Sequence, residues 1–264
     1  MVIVLNVTEE KMVEILKELK EDYGVIAVKS EFETEGSRKD ELTKLRDIIS
    51  KSGLKMYIKI GGCEAVRDMD DCKIFGADGI MAPMIETPFA ASKFAKAFYK
   101  VFPTENDGNI DRIINLETIT AYQNMDEIFS INQDFLDTVV IGRSDFSKSC
   151  GISKSEVNGE KMFNYCKSIL EKSQEYGFNA AIGGSISVNS IDFINNLENL
   201  LDRLETRKIV FNMNDLNENY KEAIQKAIQF EYLYLKNKLS YYQTIVDEDS
   251  ARFNDLKNRV DVEL

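Results

Sequence analysis

The feature that most constrains this chain is a repeated alternation of short apolar, strand-like runs with amphipathic helical periods. The runs fall at residues 2–5, 25–28, 55–60, 80–82, 113–117, 138–141, 180–182 and 209–211, and helical spacing follows most of them. The first helix shows the pattern: Thr8 reads as its N-cap, Met12, Val13, Leu16 and Leu19 share a face, and Gly24 stops it. Strands alternating with helices imply a parallel sheet covered by helices. Eight such units favour closure over an open doubly wound sheet. The expected fold is therefore α/β, a (β/α)8 TIM barrel over residues 1–214, with residues 215–264 as an extended C-terminal helical segment.

Composition removes several classes of function. Histidine is absent from the 264 residues, which excludes Ser-His-Asp, Cys-His and His-ligated zinc chemistry. What remains is carboxylate, Lys, Arg, Tyr, backbone amide and bound metal. A net charge of -12 repels phosphate backbones and anionic lipid, so neither nucleic acid nor membrane surface is an expected partner. No apolar run approaches the roughly 20 residues of a membrane span, and the N-terminal apolar run has no basic region before it. Cys63, Cys72, Cys150 and Cys166 are scattered without zinc spacing and read as reduced thiols. The expected location is cytoplasmic. Neither a GxGxxG following a strand nor a GxxxxGK[ST] occurs, so those nucleotide loops are not expected.

The C-terminal segment differs in kind. Apolar residues recur at Leu216, Tyr220, Ala223, Ala227, Phe230 and Tyr234, then shift to Leu235, Leu239, Tyr242 and Val246, with Phe253, Leu256 and Val260 beyond. A continuous helix over residues 215–260 would run roughly 70 Å at 1.5 Å per residue. The expectation is a break near residues 247–249, or packing on another subunit as a homo-oligomer through this helix. A helix pair folded back on its own barrel is the alternative.

In barrels of this type the functional groups come from the C-terminal ends of strands and the loops after them. That places Glu31, Lys59, residues 83–87, Glu117, Asp145, residues 183–185 and Asn212 around one mouth. Glu117 and Asp145 end successive strands, and such a pair suits Mg²⁺ or Mn²⁺ with its oxygen ligands and retained waters. Acids at strand ends also cap helices or pair with Lys and Arg, and spacing alone leaves that open. Gly183, Gly184 and Ser185 sit where barrels bind phosphate, or only relieve a tight turn. Residues 205–208 are expected at the opposite rim.

Two segments carry a family resemblance. INLETITAYQNMDEIFSI (residues 114–131) with FLDTVVIGRSDFSKSCGI (residues 135–152) resembles the HpcH/HpaI aldolase and citrate lyase β-subunit superfamily, and GADGIMAPMIETPFAASKF (residues 76–94) extends the likeness. It covers roughly residues 2–212. The resemblance implies that Glu117 and Asp145 hold the metal, and that the amides of Gly142, Arg143 and Ser144, beside Pro83, receive the carboxylate of a small-molecule 2-oxo acid. The implied activity is carbon–carbon lyase or aldolase chemistry through a pyruvate-type enolate. Citrate-lyase-like cleavage or condensation, and a non-catalytic barrel that binds an oxo acid or scaffolds an oligomer, are the alternatives. Two departures bear on mechanism. Lys59 stands where the family's aldolases place Arg, and offers a point charge without the planar fork. The family's base motif aligns with Lys29-Ser30-Glu31-Phe32, which lacks its Asp and His. Glu31 is then a candidate base, or is salt-bridged to Lys29 or Lys59. Arg143 is expected either to meet an anionic substrate or to pair with Glu86 or Asp145.

Overall fold

The computed structural model describes residues 4–103, 109–216 and 219–259. A helix, α1 (Val7–Tyr23), comes first. It is followed by β1 (Val25–Glu31), α2 (Lys39–Ser52), β2 (Lys55–Lys59), α3 (Val66–Phe75), β3 (Gly79–Ala82) and α4 (Pro88–Val101). The second half continues with β4 (Asp111–Leu116), α5 (Ile119–Gln123), α6 (Met125–Ile131), β5 (Thr138–Gly142), α7 (Arg143–Ser149), α8 (Glu160–Glu175) and β6 (Asn179–Gly183). The last elements are α9 (Ile191–Asn195), β7 (Arg203–Glu205), β8 (Ile209–Asn212) and α10 (Tyr220–Lys257). The strands form a closed barrel in sequence order.

Closure is as expected, but two strands differ. Of the first apolar run, residues 2–3 lie outside the described residues, while Val4 and Leu5 form no strand and Val4 is 78% exposed. The eighth member of the barrel is instead Arg203–Glu205, a strand whose charged ends conceal it in the sequence. β1 to β7 run parallel, and β8 runs antiparallel to both β7 and β1. Only residues 206–208 join β7 to β8. So short a link permits a hairpin and forbids a helical crossover. The reversal moves two groups from their expected rims: residues 205–208 lie at the mouth, and Asn212 lies at the closed end, opposite Arg203.

Because side chains alternate along a strand, the barrel interior is layered. At the closed end Asp111 accepts from Tyr57 Oη at 2.8 Å, Thr138 Oγ1 at 3.0 Å and Arg203 Nη1 at 2.5 Å. Gly79 makes room for the Tyr57 ring, since a Cβ there would lie 2.6 Å from Tyr57 Cδ1. Above this plug Ala27, Tyr57, Met81, Ile113, Val140, Ala181 and Val210 fill the barrel. The inward positions one step further up, Lys29, Lys59, Asn115, Gly142, Gly183 and Glu205, line the mouth together with Glu117, a further step above Asn115.

The flanking helices differ from expectation at their ends. Asn6, not Thr8, caps α1: its side chain accepts from the amides of Thr8 and Glu9, and Glu9 returns a bond to the Asn6 amide. A capping carboxamide two residues upstream satisfies two of the orphan donors of the first turn at once. α10 is one helix from Tyr220 to Lys257 with no break at residues 247–249, about 57 Å long at 1.5 Å per residue. Its first half buries Ala223, Ile224, Ala227, Phe230 and Tyr234, and it packs along α1. Beyond Tyr242 the helix is exposed. Val260, the last apolar position of the expected pattern, lies outside the described residues. Among the described residues no helix is long and apolar enough to cross a membrane.

If α10 belongs to the barrel core, Phe230→Ala, which empties a fully buried site, will lower the unfolding free energy by about 3–5 kcal/mol in a urea titration. Leu239→Ala, at a position 71% exposed, is expected to stay within about 0.5 kcal/mol of wild type.

Candidate active site at the barrel mouth

Glu117 follows β4 and is 2% exposed. Its Oε1 accepts from the Met84 amide at 3.1 Å and lies 3.6 Å from Lys59 Nζ, while its Oε2 accepts from Asn115 Nδ2 at 3.1 Å. Met84 holds a left-handed backbone at φ 51°, which costs a non-glycine residue about 1–3 kcal/mol. That strain aims its N–H at the carboxylate. Gly142, at the end of β5, leaves no room for a side chain: a Cβ there would fall on Glu117 Oε2 and lie 3.0 Å from Glu117 Cβ. The chain thus holds a nearly dry carboxylate in one orientation.

Asp145 sits in the first turn of α7, partly exposed, with Oδ1 accepting from Lys148 Nζ at 2.9 Å. It lines the same mouth cavity as Glu117, Lys59, Gly142 and Ser144, a space of about 450 Å³. The cavity is acidic. Glu31, Glu35, Glu117, Asp145, Glu205 and Glu231 stand against Lys29, Lys59, Lys148 and Arg207, six formal negative charges to four positive. Asn115 Oδ1 is buried here without a hydrogen-bond partner. An all-oxygen donor set with surplus negative charge fits a hard divalent cation. Among the described residues no three His, Cys, Asp or Glu side chains converge as a metal cluster, so a cation here would have two carboxylates and complete its shell with water or substrate. A larger groove of about 660 Å³ lies outside the barrel between α1, α2 and α10, away from the strand ends where barrels place chemistry.

The glycine-rich turn after β6 packs directly on the loop that carries Asp145. Gly184 has φ +74°, and a Cβ on it would lie 2.7 Å from the Ser144 amide nitrogen and 3.0 Å from that of Arg143. Ser185 follows at φ 55°, and its hydroxyl meets that of Ser144 at 2.8 Å. Two loops therefore share one backbone contact that only glycine permits.

Several expected residues are elsewhere. The Arg143 side chain is fully buried and does not line the cavity. It pairs with neither Glu86 nor Asp145. It donates to Asn158 Oδ1 at 2.9 Å and to the Gly184 carbonyl at 3.1 Å, and its guanidinium stacks 4.6 Å from the Phe193 ring centroid. Burial pushes its pKa down to about 10, so it stays a cation at neutral pH. It acts as a strut between the loops after β5 and β6. Glu31 pairs with Arg207 at 2.9 Å and not with Lys29 or Lys59, because the β7–β8 hairpin brings Arg207 over the rim. Pro83 shapes the turn after β3 but does not line the cavity; the neighbouring Met84 contributes its amide instead.

Some mouth residues had no warning in the apolar pattern. Lys29 pairs with the 1% exposed Glu205 at 2.5 Å. Lys208, bonded to Glu35, lies 4.3 Å from the Tyr234 ring centroid, and burial lowers its pKa. α10 adds Ile228 and Glu231 to the wall, and burial raises the Glu231 pKa. The available signal was the three-residue gap between 205 and 209, too short for a crossover.

A closed barrel with its buried carboxylates, lysines and glycine turns at the carboxyl ends of the strands defines a (β/α)8-type protein with an enzyme-like mouth. The chain belongs to the HpcH/HpaI aldolase/citrate lyase family, whose model matches residues 8–221. Solved structures share the fold. The citrate synthase SbnG aligns with a TM-score of 0.59 at 14% identity, over 89% of this chain and 90% of that one. An HpcH/HpaI aldolase/citrate lyase family protein from Burkholderia cenocepacia J2315 aligns at 0.53 and 12% identity, over 70% and 89%. RipC from Yersinia pestis aligns at 0.52 and 12% identity, over 79% and 88%. No curated protein sequence matches the chain.

The loop contact at Gly184 is open to a direct check. Gly184→Ala combines a disfavoured φ with a backbone collision, and is expected to lower stability by about 1–3 kcal/mol; unchanged denaturation would show that the two loops do not touch.

Proposed function

We propose that this protein is a divalent-metal-dependent carbon–carbon lyase or aldolase acting on a small 2-oxo acid. The family suggests aldolase or citrate lyase chemistry; the finer reading is carried by one observation. Glu117 and Asp145 line a single cavity together with Lys59 and the loop of Gly142 and Ser144. In this reading Glu117 and Asp145 hold Mg²⁺ or Mn²⁺, which when bound supplies Lewis-acid polarisation of the keto oxygen. The amides of Gly142, Arg143 and Ser144 open the first turn of α7, where backbone N–H groups lack partners within the helix, and they receive the substrate carboxylate. Lys59 contributes positive charge where the enolate oxygen develops. Glu31, bridged to Arg207, frames the rim and orders it. The apolar wall formed by the buried Met81 and Val140 with the partly buried Ile186 limits water at the reacting carbon.

Citrate-lyase-like cleavage or condensation of another carboxylic acid is the second reading. It is favoured by Lys29-Ser30-Glu31-Phe32 standing where the aldolases carry their Asp and His. Assembly through α10 is part of the same proposal: Leu235, Leu239, Val246 and Leu256 are exposed along it, and a second copy of the chain would cover them. A cytoplasmic setting suits the four cysteines, all free thiols.

Calorimetric titration with Mg²⁺ or Mn²⁺ and oxalate is expected to show binding to wild type and a loss of at least about tenfold in Glu117→Ala and Asp145→Ala, since changes even one shell out cost 10–100-fold. Gly142→Ala, which displaces the Glu117 carboxylate, is expected to weaken the same binding. Equal affinity in all four proteins removes the metal site. A panel of oxo-acid aldol adducts assayed for pyruvate release then separates lyase from binder, and a Lys59→Ala variant with full turnover would contradict its place at the enolate oxygen.

A further inference from the structure

The reading above leaves open which group moves the proton, in a chain without histidine. Glu205 ends β7 with its side chain turned into the barrel, 1% exposed. Its two oxygens are unequal. Oε2 is held by Lys29 Nζ at 2.5 Å, whereas Oε1 is buried and has no hydrogen-bond partner. Among the described residues it is the one carboxylate oxygen in that condition. Four of the five other acids of the mouth are engaged differently: Glu31 with Arg207, Glu35 with Lys208 and Arg207, Asp145 with Lys148, and Glu117 with Met84, Asn115 and Lys59; the fifth, Glu231, stands on α10 outside the strands and is only partly buried. Glu205 and Lys29 line the same cavity as Glu117 and Lys59. Gly183 beside them carries no side chain; a Cβ there would lie 3.4 Å from Glu205 Cβ and 3.7 Å from Oε2.

We propose that Glu205 is the proton-transfer residue of this site, acting through Oε1 while Lys29 holds Oε2. This rests on the oxo-acid reading of the mouth. The carbon–hydrogen bond next to the keto group breaks, its electron pair passes into the enolate, and the proton goes to Glu205 Oε1. The reverse transfer delivers that proton to the enolate carbon left when a carbon–carbon bond is cleaved. A carboxylate oxygen with no partner beside the mouth suits this work, because a general base must come within hydrogen-bond reach of the substrate proton and no protein donor competes for Oε1.

The experiment is proton NMR of pyruvate methyl exchange in D₂O with the full chain and Mg²⁺, run beside oxalate binding. Wild type is expected to wash out the methyl protons, and Glu205→Gln to slow this at least about 100-fold while binding oxalate within about twofold of wild type. Glu205→Asp, a carboxylate drawn back by one methylene, is expected to bind normally and to exchange at a rate between the two. A Glu205→Gln protein that exchanges at the wild-type rate overturns the inference, as does one that loses oxalate binding while Glu205→Asp exchanges at the wild-type rate. Wild type that binds oxalate without exchanging protons also overturns it and leaves the binding site standing. Wild type that does not bind oxalate removes the oxo-acid reading, and this inference falls with it.

Discussion

A run of seven parallel strands leaves two open edges, and the unpaired backbone groups of β1 and β7 must find partners before such a sheet is stable. β8 supplies both. It reaches β7 through a three-residue turn and therefore runs back down the barrel, pairing antiparallel on each side. The direction of that one strand decides which residues surround the mouth. Arg207 and Lys208 ride on the turn and reach Glu31 and Glu35, and β7 ends at the rim with Glu205 facing inward.

The second constraint is charge inside a narrow barrel. Ionised groups withdrawn from water must be paired or hydrogen-bonded. The interior meets this in two polar layers separated by an apolar one. At the closed end Asp111 satisfies Tyr57, Thr138 and Arg203 together. At the mouth the pairs are Lys29 with Glu205 and Lys59 with Glu117. The closed end is fully matched and reads as structure. The mouth keeps surplus carboxylate charge and partnerless acceptors on Asn115 and Glu205, which a purely structural plug would not retain.

Much of this was legible in the residues. Alternating apolar runs gave seven of the eight strands, and the glycine and acid at the ends of β4 and β5 marked the mouth. The reversed hairpin was hidden because Arg203, Leu204 and Glu205 show no apolar run; their alternation is real but only Leu204 packs outward into the core. Arg143 misled for the opposite reason. An arginine in a loop beside acids reads as a contact to an anionic substrate or as a surface ion pair, yet here the aromatic face of Phe193 and the Gly184 carbonyl let it be buried without a carboxylate. Side-chain partners across the barrel, such as Lys29 with Glu205, are 176 positions apart and follow from closure, not from local pattern.

The reversal of β8 also reverses the helix after it. The chain leaves β8 at the closed end, where Asp215 packs against Gly24, and α10 climbs the outside of the barrel antiparallel to α1. It passes the rim at Glu231 and meets the cap of α1 where Asn6 bonds Asn237. Both Asn6 and the distal part of α10 thus stand on the entrance side. A dye, resin or fused domain attached near either one sits beside the opening, whereas attachment at residues 212–216 leaves the entrance clear. The handle for immobilising this barrel with its mouth outward is its closed end.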